Sequence, residues 1–213
     1  MRAVLLAVLF TMWGCQTAPA DYGAIRDKAA DGSTVSLRQL NQAFFALEDL
    51  PQRMDRLNEL EQQALALIED EPLKLGSMGT AILDTHFGSL TGHYVLERFY
   101  RHLESPEADH HAAWVARIRA YMEQNGDGSR DNPFPVVTPV EAQIYVLERE
   151  LSPVGSMYQT SEEHPFTLLL QARKEPAGII ALHFDLLGVY QTMSQRFAQT
   201  SDFHPVALMY HQA

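Results

Sequence analysis

Cysteine and basic residues are scarce in this sequence. Cys15 is the single cysteine among the 213 residues. A disulfide within the chain is therefore excluded, and the fold must be held together by its core. Lysine and arginine number 16 against 27 aspartate and glutamate residues, which gives a formal net charge of −11. An acidic surface of this kind repels phosphate backbones, and the basic residues form no cluster that could bind them. We therefore expect no binding of nucleic acid.

The common catalytic and nucleotide-binding motifs are missing as well. The sequence has no GxSxG nucleophile elbow, no P-loop and no GxGxxG loop, and it lacks the HExxH and HxxxH spacings of a zinc site. Cys15 lies close to the N-terminus, outside the part of the chain that we expect to fold. No catalytic nucleophile and no cofactor is therefore predicted.

The first twenty residues have the features of a bacterial export signal. Arg2 gives a positively charged start, and residues 3–13 form an apolar segment with the length of a signal-peptide core, too short to span a bilayer. The segment MWGC, residues 12–15, resembles a bacterial lipobox, in which a small residue precedes a cysteine that becomes lipidated and N-terminal after cleavage. Met12 departs from that pattern, which most often has leucine at this position.

This resemblance implies a lipoprotein. Residues 1–14 would be the signal peptide, and Cys15 would carry a thioether lipid and acyl chains such as palmitate, which together anchor a protein stably in a membrane. Gln16 stands where an aspartate would resemble an inner-membrane retention signal, so the outer membrane is favoured, with the body of the protein in the periplasm. The alternative is an ordinary secretory signal in which Cys15 has no role. Residues 15–33 are predicted to form a tether.

Residues 34–125 are predicted to form helical hairpins. Apolar side chains recur there at spacings of three and four residues, as on one face of a helix. Five helices with short connections predict antiparallel pairs that stack side by side. The 34 residues from Pro72 to Pro106 resemble the period of tetratricopeptide repeats. Tyr94 and Arg101 replace small residues of that pattern, so the repeats would be degenerate.

The pattern changes after these helices. We interpret residues 126–135 as a linker, because their oxygen-bearing side chains have the spacing of a calcium loop but Val136 occupies the position of the closing glutamate. Residues 136–200 are predicted to form a small α+β domain. Its helix begins in a capping box formed by Thr138 and Glu141, and alternating apolar and polar segments predict its strands.

The predicted fold class is α+β, with N-terminal helical hairpins followed by a small antiparallel sheet with one helix, and with a tail over residues 201–213. This layout, together with the segments GDGSRDNPFPVVTPVEAQIYVL and HFDLL, resembles a group of bacterial envelope proteins. These proteins combine a helical, tetratricopeptide-like front half with a small α+β domain. The resemblance covers about residues 60–190 and implies the architecture and an envelope location, but no reaction.

Aromatic residues at helical spacing are the candidate partner-binding site. They lie on the fourth and fifth predicted helices and are Tyr94, Phe99, Tyr100, Trp114 and Tyr121. Aromatic residues at this spacing usually belong to a core. Their alternative role is to line a concave surface that binds a peptide or a partner helix.

Histidines are the candidates for a metal site, although no metal is predicted. His93 and Glu97 are four residues apart and share a helix face, and His111 on the next helix could approach them within a hairpin. His183 and Asp185 alternate onto one face of a predicted strand and could form an acid–base pair. The same alternation also fits a plain polar strand face opposite a buried one.

These observations favour a non-catalytic envelope lipoprotein that acts as a protein-interaction or scaffold module. It would be attached to the membrane through a lipid on Cys15 and would bind a protein partner. Two alternatives stay open: a histidine- or metal-dependent periplasmic enzyme that uses residues such as His93, His111 or His183, and a purely structural envelope protein.

Overall fold

The computed structural model describes residues 21–198. The predicted signal peptide at 1–14, the predicted lipidation site Cys15 and the predicted tail at 201–213 lie outside these residues.

Helices come first in the described part of the chain, and the sheet follows. The helices of the first part are α1 Tyr22–Ala30, α2 Leu37–Phe45, α3 Leu50–Leu67, α4 Leu75–Thr85, α5 Leu90–His102 and α6 Glu107–Asn125, with a 3-10 turn at Pro72–Lys74 before α4. The second part contains β1 Phe134–Pro135, α7 Pro139–Glu148, β2 Ser152–Gln159, β3 Thr167–Lys174, β4 Gly178–Asp185 and α8 Leu187–Ala198. The predicted α+β fold class is therefore confirmed.

The helices of the first part pack as hairpins. α3 lies against α4, α4 against α5, and α5 against α6, so neighbours in the sequence are neighbours in space. Side-chain caps fix where helices begin. At α2, the Ser36 hydroxyl accepts a hydrogen bond from the Gln39 backbone N–H while the Gln39 side chain accepts one from the Ser36 N–H. This reciprocal pair satisfies two backbone donors that have no partner inside the helix.

The four strands form one mixed sheet in the order β1-β4-β3-β2. β3 is antiparallel to both β2 and β4, whereas β1 is parallel to β4. The predicted antiparallel arrangement thus holds for three strands, and β1 adds a parallel edge. Parallel neighbours need a long connection, and here α7 together with the β2–β3 hairpin provides it.

Part of the predicted tether is a helix. Asp21 caps α1 by accepting a hydrogen bond from the Gly23 N–H at 2.9 Å. Tyr22 is buried, and its ring centroid lies 5.6 Å from that of Phe44. Its hydroxyl accepts a hydrogen bond from the Phe87 N–H at 2.9 Å. The tether prediction is therefore wrong for residues 22–30. A polar nine-residue helix has too little apolar periodicity to be seen in the sequence.

The hydrophobic core crosses the predicted linker. Four of residues 126–135 are buried, among them Phe134, whose ring centroid lies 4.9 Å from that of Tyr145 and 5.8 Å from that of Phe184. α7 packs on α3 and α5 as well as on β2 and β3. The predicted boundary therefore separates two patterns of the sequence, helical and mixed. The buried side chains on both sides of it nevertheless belong to a single core.

We expect Gly128→Ala to lower the free energy of unfolding more than Gly178→Ala does. Both glycines have a positive φ, 75° and 92°, a conformation that costs a residue with a side chain about 1 to 2 kcal/mol. A Cβ on Gly128 would also lie 2.4 Å from the Phe134 ring, whereas one on Gly178 would have no neighbour within 4 Å among the described residues.

Overpacking should add about 1 to 3 kcal/mol at Gly128 alone. Urea unfolding of the two variants and the parent protein measures the difference. Equal losses at both positions would mean that residues 126–135 are not packed into the core.

Candidate functional site

The candidate aromatic residues do not form one exposed surface. Tyr94 and Trp114 are buried, with 8% and 6% of their surface exposed. The Trp114 ring stacks on His93 with a centroid distance of 5.0 Å and an angle of 8°, and the Arg117 guanidinium lies over its face at 4.5 Å. These two rings belong to the core, where they cannot anchor a partner without local unfolding.

The other three aromatic residues are half-buried. The Phe99 ring packs against the Cα of Gly76 on α4, where a Cβ would lie 2.7 Å from it. Tyr100 stacks on His111 with a centroid distance of 5.5 Å, and Tyr121 lies in the wall of a cleft on another side of α6. The five residues therefore pack between helices at several places and do not form one continuous surface.

The structure brings His93 and His111 together, but not Glu97. The two Nδ1 atoms are 3.0 Å apart, while Glu97 forms an ion pair with Arg101 at 2.8 Å. His93 Nε2 lies 3.0 Å from the Phe87 carbonyl oxygen, which can only accept. Nε2 therefore carries the His93 proton, and the His111 Nδ1–H donates to the unprotonated Nδ1 of His93.

Both imidazoles are neutral at pH 7. Burial lowers the pKa of His93 well below its usual value, and burial followed by the nearby His110 lowers the pKa of His111 to about 4. Within residues 21–198, no group of three or more histidine, cysteine, aspartate or glutamate side chains could hold a metal ion. The pair is thus a hydrogen bond between two helices that offers a metal two ligands at most.

His183 and Asp185 share a strand face, yet they interact with different groups. His183 Nδ1 lies 3.4 Å from the Gly128 carbonyl oxygen, and an Asp185 carboxylate oxygen lies 3.7 Å from Nδ1 of His164. The opposite face of β4 holds the buried Phe184. The arrangement fits a polar strand face rather than a His183–Asp185 acid–base pair.

A buried glutamate that the sequence analysis does not single out is the centre of the internal polar network. Glu61 on α3 is completely buried. Its Oε1 accepts a hydrogen bond from the Ser89 hydroxyl at 2.8 Å, and its Oε2 accepts one from the Thr138 hydroxyl. Ser89 and Thr138 are the N-cap residues of α5 and α7. One carboxyl group therefore joins the starts of two helices.

The same two hydroxyls cap their helices. Ser89 Oγ accepts from the Gly92 N–H at 3.1 Å, and Thr138 Oγ1 accepts from the Glu141 N–H at 3.2 Å. A hydroxyl can accept these bonds while it donates its own hydrogen to Glu61. The capping role predicted for Thr138 is thereby confirmed, and both residues have a second role that links helices.

Glu141 is the second buried carboxyl group of the network. Its Oε1 accepts from the Leu90 N–H at 2.9 Å and its Oε2 from the Val137 N–H at 2.8 Å. These donors stand at the starts of α5 and α7, where backbone N–H groups lack partners inside the helix and favour a negative charge. Glu61 and Glu141 therefore form hydrogen bonds with the starts of the same two helices, α5 and α7.

The two carboxyl groups are held in different electrostatic environments. Burial, followed by the neighbouring Glu141, raises the pKa of Glu61 to about 8, against the opposing effect of the hydroxyls. Burial also raises the pKa of Glu141, where the Val137 and Leu90 N–H groups oppose it. Because two close carboxylates cannot both ionise cheaply in a buried place, Glu61 is the one that tends to hold a proton. When it is protonated, its O–H donates to one of the two hydroxyls, which then accepts instead of donating.

The sequence contains one signal for this network. Glu61 lies four residues after Leu57 and three before Ala64, in the middle of the apolar stripe of α3. A charged residue on a core-facing position needs a buried partner. Its hydrogen-bond partners, however, lie 28 and 77 residues further along the chain, which the sequence does not show.

Two surface features lie near this network, since residues of α7 line both of them. The first is β2, the outer strand of the sheet, where seven of the eight residues are exposed and no strand within residues 21–198 pairs with its outer edge. A groove of about 540 Å³ separates it from α3. The second is a cleft of about 570 Å³ bounded by α2, α6, α8 and residues 135–137.

None of the helices within residues 21–198 has both the length and the apolar character required to cross a bilayer.

Comparison with known proteins gives no match: no protein-family profile, no curated protein and no solved structure is significantly similar to this chain. The resemblance to envelope lipoproteins therefore stays a prediction from the sequence.

We expect Glu61→Gln to remove a pH dependence of stability. A carboxyl group whose pKa rises on folding stabilises the fold fully below its unfolded value of 4.5, and this contribution is lost as the pH rises through about 8. Glutamine keeps the shape and the acceptor oxygen but cannot ionise. The melting temperature of the parent protein should therefore fall relative to that of the variant between about pH 5 and about pH 8.

Thermal melts across this range measure the effect, with Glu59→Gln as the control, since Glu59 is an exposed residue on the same helix. A difference between parent and Glu61→Gln that does not change with pH would show that folding does not raise the pKa of Glu61.

Proposed function

We propose that the protein is a non-catalytic, lipid-anchored envelope protein whose body binds an extended segment of a partner protein along β2. The observation that carries this proposal is the outer edge of that strand, which carries no charged side chain. Segment 152–160 contains no charged residue, whereas natural sheet edges are usually protected by charged side chains. Val154, Met157 and Tyr158 are 47%, 57% and 41% exposed.

The usable part of this edge is its second half. The pairing of β2 with β3 is irregular between Pro153 and Gly155, and a proline and a bulge both interrupt strand addition. From Gly155 to Gln159 the register is regular. A partner strand of about five residues could pair there through backbone hydrogen bonds, the mode of recognition called β-augmentation.

Charge favours a basic partner segment. The groove beside β2 is lined by Asp55 and Glu59 of α3 and by Ser156 and Tyr158 of β2. Side chains of an added strand alternate between the two faces of the sheet. Those on the Tyr158 face would meet the acidic residues of α3, and those on the other face would meet Met157. We therefore propose a segment that alternates basic with apolar residues.

The proposed location follows from the sequence alone. Cys15 would carry the lipid, Gln16 favours the outer membrane, and the body would lie in the periplasm. The surplus of acidic residues, 27 against 16 basic ones, supports a role for the lipid in attachment, because such a surface gains no attraction from anionic lipid headgroups.

Two labelled eight-residue peptides test the binding surface, one alternating valine with lysine and the other valine with glutamate. We expect the lysine peptide to bind in fluorescence polarisation, more weakly as salt is added, and the glutamate peptide not to bind. Asp55→Asn combined with Glu59→Gln should weaken binding of the lysine peptide by about ten-fold or less and flatten its salt dependence.

Met157→Lys should abolish binding of the lysine peptide, while Ile179→Lys should not. The two residues are almost equally exposed, at 57% and 58%, but Ile179 lies on β4, which β3 separates from β2. Equal effects of the two substitutions, or equal binding of both peptides, would contradict the proposal. A dimer of the protein alone that Met157→Lys dissociates in sedimentation would identify a second copy as the occupant instead.

Cys15→Ser tests the anchor in a Gram-negative host fed an alkyne-labelled palmitate. The parent protein should take up the label and sediment with outer membranes, whereas Cys15→Ser should be unlabelled and leave the membrane fraction. Gln16→Asp, which keeps the cysteine, should stay labelled and move towards the inner membrane. An unchanged mass and membrane fraction for Cys15→Ser would refute lipidation.

A further inference from the structure

A pocket of about 300 Å³ lies where β2 ends. The residues that line it are Arg130, Gln159, Thr160, Ser161, His164 and Thr167, and we call it the Arg130 pocket. Gln159 is the last residue of β2, and Thr167 is its register partner on β3. Gln159 also ends the regular part of the β2 edge, so a partner strand added there would have one of its two ends beside this pocket.

The predicted linker contains a tight turn that places Arg130 at this end of the sheet. The N–H groups of Asp127 and Gly128 both donate to the Asn132 carbonyl oxygen, at 2.9 and 3.1 Å. The turn is joined to β4, because the His183 N–H donates to the Gly128 carbonyl oxygen at 2.9 Å. Arg130 lies in the middle of the turn, so its backbone is fixed against the sheet.

The loop after β2 forms the other side of the pocket. The Ser161 N–H donates to the His164 carbonyl oxygen at 3.1 Å, and the His164 N–H donates to Ser161 Oγ at 2.9 Å. His164 Nε2 lies 3.4 Å from the carbonyl oxygen of Asp131, the residue after Arg130. The loop and the turn therefore contact each other and hold the two sides of the pocket in place.

The lining of the Arg130 pocket offers a positive charge and hydrogen-bond donors. Within residues 21–198, the Arg130 guanidinium has no ion pair and no hydrogen bond, and the hydroxyls of Thr160 and Ser161 donate to no other group. None of the six lining residues is acidic. A guanidinium beside hydroxyl donors suits a carboxylate, whose two oxygens can accept from both kinds of donor.

The charge along β2 changes sign at the Arg130 pocket. The groove beside Ser156 and Tyr158 is lined by Asp55 and Glu59, which repel a carboxylate, whereas the pocket at the end of the strand attracts one. A partner segment that suits both places has basic side chains along its length. It also has a negative charge at the end that reaches the pocket.

We propose that the partner segment is the C-terminal end of a protein chain, whose terminal carboxylate binds Arg130. This inference rests on the proposed binding of a partner strand along β2. It also determines the orientation of that strand. Because β2 runs towards the pocket, a segment whose C-terminus lies in the pocket must be parallel to β2. Backbone hydrogen bonds hold such a segment on the sheet, and capture of its carboxylate determines where it ends.

Three versions of the eight-residue lysine peptide test this carboxylate, each labelled at its N-terminus. The first ends in valine with a free carboxylate, the second in valine amide, and the third in aspartate amide. In fluorescence polarisation, the free acid should bind about five-fold more tightly than the valine amide, as for one ion pair in a partly exposed site. General attraction to the acidic protein acts in the opposite direction, because the free acid has one positive charge less.

The aspartate amide distinguishes a terminal carboxylate from a side-chain carboxylate. Side chains leave a strand perpendicular to its direction, whereas the terminal carboxylate continues along it. The aspartate amide should therefore bind no more tightly than the valine amide.

Arg130→Gln should remove the preference for the free acid and leave the affinity for the valine amide unchanged. Arg173→Gln is the matched control, since Arg173 is also exposed but pairs with Ser152 at the opposite end of β2. This control should keep the preference. Thermal melts should show that both variants fold like the parent protein.

A nitroxide at the N-terminus of the free acid tests the orientation. In nitrogen–proton correlation spectra, it should broaden the backbone signals of Val154 and Gly155 more than those of Thr160 and Ser161, because the N-terminus of a parallel strand lies at the start of β2.

Four results would overturn the inference. Equal binding of the free acid and the valine amide, both weakened by Met157→Lys, would leave a strand at β2 whose carboxylate has no role. Binding of the aspartate amide as tight as that of the free acid would mean that any carboxylate suffices. Loss of the preference in Arg173→Gln instead of Arg130→Gln would mean an antiparallel strand. No binding of any of the three peptides would refute the proposed β2 site as well.

Discussion

The carboxyl group of Glu61 holds together the parts of this molecule that the sequence keeps far apart. It accepts from the hydroxyls that cap α5 and α7, while Glu141 accepts from backbone N–H groups at the same two helix starts. A buried network of this kind stabilises only when each of its members is satisfied. The relative position of α3, α5 and α7 is therefore a consequence of one polar centre within an apolar core.

The proposed binding surface at β2 takes its shape from this centre. α7 packs on β2 and β3 as well as on α3 and α5, so the network fixes the sheet edge against α3 and with it the acidic groove. A change at Glu61 should therefore reach the β2 edge, although Glu61 does not contact the proposed partner segment.

Local features of the fold could be predicted from the sequence, and long-range contacts could not. Helical spacing, the Thr138 cap and strand alternation each depend on residues within about ten positions of one another, and these predictions agree with the structure. The hydrogen bond of Glu61 with Thr138 spans 77 residues, and β1 reaches β4 across α7 and a hairpin. The same holds for the aromatic residues. Their spacing indicates a helix face, but the sequence does not show that the ring of Trp114 packs against His93 on α5.

The position of α1 shows how the first described helix is attached to the body. Helix α1 begins at Tyr22, whose ring lies 5.6 Å from that of Phe44 and whose hydroxyl accepts a hydrogen bond from the Phe87 N–H. Phe87 lies two residues before Ser89, the cap of α5 that is hydrogen-bonded to Glu61. The first described helix therefore packs beside a helix start that the Glu61 network holds, and it belongs to the same body as the sheet and α7.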